Sequence, residues 1–97
     1  MERIWEYDCH LNFNGQKITK LTITDHWQAK HPEISIDLIV KLVNKLDGKE
    51  AELTNYQGER KVFKWRTFYQ NNAYRIIFWF KDSTTNHLWI RNCYPID

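Results

Sequence analysis

Glycine, proline and cysteine are scarce in this chain: its 97 residues include three glycines, two prolines and two cysteines. A Gly-rich phosphate-binding loop needs several glycines close together, so a nucleotide site of that kind is excluded. Cys9 and Cys93 stand outside any metal-ligand spacing, and we expect both to be free thiols. Zinc-protease, serine-hydrolase and paired Cys/His motifs are missing as well, so we expect neither a metal nor a cofactor.

Long apolar runs are also missing. No stretch of the sequence is long enough to cross a bilayer, and residues 1–4 lead into a strand-like pattern rather than a signal peptide. Internal repeats, linkers and low-complexity segments are absent too. We therefore expect one domain over residues 1–97, in the cytoplasm and without membrane association.

Aromatic residues are abundant, at 15% of the chain with five tryptophans, and the positive charge is unevenly placed. The net charge is only +2, but from residue 60 onward seven basic residues stand against two acidic ones, a local charge of +5. An asymmetry of this kind is more informative than the total, because it points to a basic surface on one part of the protein.

Three segments in the last third alternate between two faces: Lys61–Tyr69, Ala73–Lys81 and His87–Tyr94. This period is typical of half-buried strands. One set of alternate residues is apolar and should line a core: Phe63, Trp65, Tyr69, Tyr74, Ile76, Phe78, Phe80, Leu88 and Ile90. The other set should form one sheet surface that carries Lys64, Arg66, Arg75, Lys81 and Arg91, with Trp79 and Trp89 between them.

That basic and aromatic surface suits a nucleic acid. Guanidinium and ammonium groups bind phosphates, and flat aromatic rings stack on unpaired bases. The surface therefore favours RNA, or another single-stranded nucleic acid, as the ligand.

The amino-terminal part predicts a hairpin. Arg3–Phe13 alternates between apolar and polar residues, Asn14-Gly15 is a strong turn signal, and Lys17–Thr24 is the expected partner strand. A two-residue turn pairs Leu11 with Ile18 but puts Asp8 opposite a core residue, so a longer loop or a bulge is needed.

Two helices are predicted after the hairpin. The first is short, over His26–Lys30, and Pro32 ends it. Ser35 caps the second, which runs to about Asp47 with a buried apolar stripe. The predicted fold is α+β: an N-terminal hairpin, two helices, then a three- to four-stranded antiparallel sheet packed on the helices.

Histidine and arginine side chains are the candidates for chemistry. Cleavage of RNA needs a base for the 2′-hydroxyl, an acid for the leaving 5′-oxygen, and cations for the charge on the phosphorane. His26, Lys30 and His31 are candidates for the proton transfers. The cation that stabilises the phosphorane is then one of Arg66, Arg75 or Arg91.

Arg75 stands out because it lies early in the most hydrophobic strand of the chain, where an arginine should face a site or pair with a carboxylate. Asn92 and Tyr94 have the same parity as Ile90, which favours a core position. Near the end of a strand that parity can also curl towards solvent, where Tyr94 can orient a phosphate or stack on a base.

The sequence over Ile23–Pro32, ITDHWQAKHP, is followed by the Ser35-capped helix and by Tyr74-Arg75 entering a hydrophobic strand. This order resembles the small RNase toxins of the barnase–EndoU–colicin–RelE group, of RelE, BrnT or colicin D type. The resemblance covers about Ile18 to Tyr94, and its motifs are short.

The resemblance implies metal-independent cleavage of RNA, often tRNA or mRNA, by transesterification, and a cognate antitoxin or immunity protein as partner. It implies that His26 is the helix-start histidine, with Lys30 or His31 as the basic position behind it. Arg75 matches the strand arginine, and Asn92 or Tyr94 the position in the last strand. We therefore expect catalytic roles for His26, Lys30, Arg75 and Tyr94, and RNA contacts from His31, Lys64, Arg66, Trp79, Trp89, Arg91 and Asn92.

A second interpretation uses the same surface without catalysis. Exposed Trp and Arg side chains are also the anchors of protein interfaces, so the surface is consistent with a module that binds nucleic acid or a protein partner.

Overall fold

The computed structural model describes residues 3–25, 27–28, 30–49, 53–57, 60–81, 84 and 86–96, with the backbone alone over 53–57 and at 60. The elements are β1 (Ile4–Phe13), β2 (Gln16–Thr24), α1 (Ile36–Asn44), β3 (Leu53–Gln57), β4 (Arg60–Tyr69), β5 (Asn72–Phe80) and β6 (His87–Ile96).

The six strands form one mixed sheet in the order β1-β2-β6-β5-β4-β3. Neighbouring strands are antiparallel except β2 and β6, which are parallel over Lys20–Ile23 and His87–Ile90. The last strand of the chain is therefore inserted between the amino-terminal hairpin and the β3–β5 meander.

Two tight turns connect the longest hairpins. Asn14 and Gly15 have φ angles of 51° and 77°, and Gln70 and Asn71 have 49° and 67°. Two successive positive φ angles are the property of a type I′ turn, whose twist matches that of the flanking strands. The predicted Asn14-Gly15 hairpin is confirmed.

A register shift in the first hairpin answers the pairing problem seen in the sequence. Leu11 pairs with Ile18, as expected from the turn, but Asp8 pairs with Lys20, because the register slips between Asp8 and Leu11. The backbone N–H groups of both Thr19 and Lys20 donate to the carbonyl of Asn86, at 2.9 and 3.2 Å. This irregularity lets Leu11 of β1 and the β2 residues Ile18, Leu21 and Ile23 all face the core.

Helix α1 covers one face of the sheet, which we call the covered face. Ile39, Leu42 and Val43 of α1 are buried in the same cluster as Phe63 and Phe78 of β4 and β5. Burying a side chain of this size contributes about 1.5–3 kcal/mol, so this layer supplies most of the apolar driving force.

The start of α1 agrees with the sequence. Ser35 is the N-cap, and its hydroxyl accepts a hydrogen bond from the Leu38 backbone N–H at 3.1 Å. The helix ends at Asn44 instead of about Asp47, and turns lead on to Gly48.

The predicted fold class is wrong in its helices and in its sheet. Within the described residues α1 is the single helix. Among the described residues between β2 and Ser35, one backbone hydrogen bond has the α-helical i→i−4 spacing, from His31 N–H to the Trp27 carbonyl at 2.8 Å, and the Trp27 side chain is buried in the core. The segment between β2 and Pro32 is short, and it has to bury the Trp27 side chain. Too few residues are left for a second helix.

The sheet is also larger than predicted and is not purely antiparallel. The prediction was an N-terminal hairpin followed by two helices and a three- to four-stranded antiparallel sheet, but β2 pairs with β6 and so joins the hairpin to the other strands in one sheet. This pairing joins residues that are far apart in the sequence, and alternation within a strand carries no information about its neighbours.

Both cysteines are free thiols, as expected. Burial raises the pKa of the Cys93 thiol to about 12. The pKa of Cys9 is also raised, mainly by burial and to a smaller extent by the negative charge of Asp8. Cys93 therefore acts as a small apolar core residue. In the described part of the chain, no helix has the length and apolar character needed to cross a membrane.

Candidate nucleic-acid interface

The other face of the sheet, which we call the open face, has no described helix packed on it. Its side chains are arranged in rows, because residues paired across neighbouring strands point the same way. One row joins Arg66 of β4, Arg75 of β5 and Tyr94 of β6, and we call it the arginine row. The next rows join Lys64, Ile77 and Asn92, then Val62, Trp79 and Trp89.

A bulge in β6 creates the arginine row. Ile77 pairs with Asn92 but Phe78 pairs with Ile90, so Arg91 is one extra residue in β6. The insertion reverses the alternation that follows it. Asn92 and Tyr94 consequently face outward, where the sequence favoured a core position.

The same reversal turns Cys93 towards the core, where its side chain is completely buried. The side-chain oxygen of Asn92 accepts a hydrogen bond from the Cys93 backbone N–H at 2.9 Å, which satisfies a donor at the bulge. Arg91 itself lies over the Trp79 ring, with its guanidinium carbon 6.0 Å from the ring centroid.

The two arginines of the row are directly opposite each other in an antiparallel pair. Side chains in such a pair have Cβ atoms about 4.5–5.5 Å apart, and like charges at this spacing are destabilising. In the described part of the chain neither Arg66 nor Arg75 forms an ion pair with a carboxylate. The repulsion between Arg66 and Arg75 weakens the sheet when no anion is bound. An anion between the two guanidiniums would remove this repulsion, so the pair is well suited to bind one.

His31 lies at the end of the arginine row. Its ring stacks on Tyr94, with centroids 5.8 Å apart and an interplanar angle of 24°. Nδ1 of His31 is 3.5 Å from a carboxylate oxygen of Glu33. Two backbone hydrogen bonds hold this turn, from His31 N–H to the Trp27 carbonyl and from Ile34 N–H to the His31 carbonyl.

The structure thus brings together four of the predicted site residues: Arg66, Arg75, Tyr94 and His31. His26, the predicted base, lies outside the described residues. Lys30 is exposed, and the described contacts do not connect it with the arginine row.

The tryptophans of the open face are less available than the sequence suggested. Trp79 is only 6% exposed and has Arg91 over its ring. Trp89 is half-buried, with the Lys81 ammonium 5.4 Å from its ring centroid. These cation–π contacts place the charges of Lys81 and Arg91 on the face, while the covered rings have little area for a base.

Phe68 is the aromatic side chain of the open face that sequence reasoning missed. It is 55% exposed, and the Arg66 guanidinium lies 5.1 Å from its ring centroid. The signal was present, because Phe68 shares the alternation of Lys64 and Arg66. The contact of Glu33 with His31 had no signal in the sequence.

His87 belongs to the open face but lies away from the arginine row. It is buried, and its Nε2 is 2.7 Å from the hydroxyl of Thr22. Burial lowers the pKa of His87, the charges of Lys81 and Lys20 lower it further, and Glu6 opposes them. The structure thus places His87 in a packed polar pair with Thr22.

Among the described residues, His, Cys, Asp and Glu form no group of three or more that could hold a metal ion. Comparison with protein-family models, curated proteins and solved structures gives no significant match to this chain.

Proposed function

We propose that this protein is an endoribonuclease of toxin type that binds RNA on the open face and cleaves it by transesterification without a metal ion. The observation that carries the proposal is the arginine row, where Arg66 and Arg75 face each other beside Tyr94 and His31.

Two adjacent guanidiniums are suited to one phosphodiester. Each presents a planar fork of donors that matches phosphate oxygens, and an anion between them removes their mutual repulsion. In the reaction, the same cations lie where negative charge develops on the phosphorane, which is the role of electrostatic stabilisation in catalysis.

Single-stranded RNA fits the surroundings of this phosphate site. Phe68 provides an exposed ring on one side, and the stacked Tyr94 and His31 rings provide a flat surface on the other. Transesterification requires a 2′-hydroxyl, which RNA has and DNA lacks, and it proceeds with proton transfer and charge stabilisation alone.

The family resemblance supports the remaining parts of the proposal. It favours tRNA or mRNA as the substrate, a cytoplasmic site of action, and a cognate antitoxin or immunity protein that covers the open face. The +2 net charge suits a local phosphate site better than a broad electrostatic footprint.

A second candidate function is binding without catalysis. Arg91 over Trp79 and Lys81 over Trp89 form a prearranged cation and aromatic surface, and such side chains are enriched at the anchors of protein interfaces.

Purified protein should cleave total RNA in EDTA, and Arg66→Thr and Arg75→Thr should each reduce the rate by about 10²–10³-fold. Each substitution should leave the free energy of unfolding unchanged or raise it by about 0.5 kcal/mol, because it removes a like-charge pair from a strand and adds a good strand former. Lys49→Thr, an exposed cation on the loop after α1, is the matched control and should cleave like the wild type.

The remaining outcomes distinguish the two candidates. Binding of RNA that falls steeply with added salt, with no cleavage, favours the nucleic-acid-binding module. Full activity in Arg75→Thr contradicts the arginine row as the site, and neither binding nor cleavage removes RNA as the ligand.

A further inference from the structure

We infer that His31 is the general base of the site and that Glu33 is the positioning residue that holds its ring in the reactive tautomer. The inference rests on the proposed function and deepens it, because it assigns the proton-accepting atom and a residue that acts through it.

Two different groups constrain the His31 ring. Tyr94 stacks on one ring face at 5.8 Å, and the Glu33 carboxylate lies 3.5 Å from Nδ1 at the ring edge. Since Nδ1 faces Glu33, Nε2 is the ring atom left for a substrate. This nitrogen belongs to a side chain that is 29% exposed and adjoins the arginine row.

The backbone makes the pairing of His31 and Glu33 a fixed feature of the turn. Pro32 stands between them, and its ring fixes φ near −65° while it restricts the residue before it. The buried side chain of Trp27 anchors the start of the turn, and Ile34 anchors its end in the same core. The segment that carries the pair is therefore attached to the core at both ends.

A carboxylate 3.5 Å from Nδ1 has a defined chemical effect. It is the acceptor towards which an Nδ1–H points, which favours the tautomer with a lone pair on Nε2 and stabilises the imidazolium that forms later. This is the arrangement in which a base is oriented by a third group.

The resulting step balances. His31 Nε2 takes the proton of the RNA 2′-hydroxyl, the 2′-oxygen forms a bond to phosphorus, and the bond from phosphorus to the 5′-oxygen breaks. The Tyr94 hydroxyl donates a proton to the leaving 5′-oxygen and is reprotonated from solvent, and the His31 imidazolium releases its proton to solvent, so both groups return to their starting states. The products are a 2′,3′-cyclic phosphate and a free 5′-hydroxyl.

The Glu33 side chain contributes little to the free energy of folding. Its side chain is 58% exposed, and exposed ion pairs contribute little to folding because solvent screens them. We therefore expect Glu33→Gln to unfold at the wild-type temperature, so that any loss of activity reflects the orientation of the imidazole.

The experiment compares wild type, His31→Gln and Glu33→Gln in single-site RNA cleavage, with Asp37→Asn as control because it also removes one exposed acidic charge nearby. We expect no cleavage by His31→Gln. We expect Glu33→Gln to lose about tenfold or more in kcat with KM unchanged, because Glu33 contacts the imidazole and not the RNA. Asp37→Asn should match the wild type.

A second readout needs no activity. Nitrogen-15 NMR of the His31 imidazole should show the Nδ1–H tautomer in the wild type and a shift towards Nε2–H in Glu33→Gln. Circular dichroism and thermal unfolding establish that each variant is folded.

The outcomes separate the inference from the proposed function. If the wild type cleaves RNA but Glu33→Gln keeps its kcat, or its His31 tautomer does not change, the role of Glu33 is overturned and the RNase proposal stands. If His31→Gln keeps full activity, His31 is not the base. If the wild type does not cleave RNA at all, the RNase proposal fails, and the assignment of a general base fails with it.

Discussion

At the scale of single residues, the described part of the open face contains a buried ionisable group, His87, that lies outside the arginine row. His87 is enclosed with Thr22. Burial lowers the pKa of His87, and the positive charges of Lys81 and Lys20 lower it further. A neutral ring satisfies the Thr22 hydroxyl at 2.7 Å without adding a third positive charge to this corner. His87 is therefore a stabilising residue whose effect depends on pH.

We predict that folding stability falls on mild acidification because of His87. Its pKa is lower in the folded protein than in the unfolded chain, so the unfolded state binds the proton more tightly. The stability is complete above the unfolded-state pKa of about 6.5 and declines as the pH drops below that value. Urea unfolding at several pH values should show this decline.

The comparison uses His87→Gln and the control His10→Gln, an exposed residue of β1. His87→Gln should cost about 1 kcal/mol near neutral pH through its altered hydrogen bond, and should flatten the decline below it. His10→Gln should leave the decline as it is. An equally steep decline in His87→Gln would assign the pH dependence to other groups.

At the scale of elements, the type I′ turn between β4 and β5 is a strained feature. Gln70 and Asn71 both have positive φ, although glutamine has no special tolerance for that region. The equivalent turn of the first hairpin uses Asn14 and Gly15, residues suited to these angles.

We predict that the double substitution Gln70→Asn and Asn71→Gly stabilises the protein by about 1 kcal/mol. It copies the residue pair of the first turn and leaves intact the Gln70 carbonyl, to which the Asn72 side chain donates at 3.3 Å. Chemical denaturation measures the effect, and the reverse substitution Gly15→Asn should destabilise. A loss of stability in the double variant contradicts a type I′ turn at this position.

The alternation of the strands predicted the faces of β4 and β5 and of the first half of β6. It could not predict the second half of β6, because one extra residue, Arg91, reverses the pattern without leaving a signal in the sequence. Whether a bulge forms depends on the pairing with the neighbouring strand. The residues in the bulge are ordinary strand residues, so their types do not reveal it.

The candidate site was partly predictable for the same reason. Arg66 and Arg75 could be assigned to one face from local alternation, and the structure places them there. Tyr94 was identified as a candidate but favoured for the core, and the contact of His31 with it depends on a turn whose path is set by the burial of Trp27. Local patterns identify faces, whereas contacts between distant segments depend on the whole sheet.

At the scale of the whole molecule, the sheet is held together by its central strands. β6 pairs with β2 on one side and β5 on the other, while β1 and β3 each have one neighbour in the described sheet. Leu21, Ile76 and Ile90 in these inner strands are buried in the core. Stability should therefore decrease from the centre of the sheet towards both edges.

We predict that backbone amides in β2, β5 and β6 exchange with solvent at least about tenfold more slowly than the paired amides of β1 and β3. Hydrogen exchange followed by NMR measures this for each residue. The Thr22 and Ile76 amides test the centre, and the amides of Tyr7 and of the paired β3 residues test the edges. Equal protection in β1 and β6 would show that the sheet opens only by global unfolding.

The position of β6 also matters while the chain is being synthesised. It is translated after the other five described strands, yet it occupies an inner position, so a chain that ends before His87 presents β2 and β5 as two unpaired strand edges. Nascent or truncated chains are then prone to pair with each other. The same insertion delays the complete arginine row, because Tyr94 joins Arg66 and Arg75 only when β6 is seated between β2 and β5.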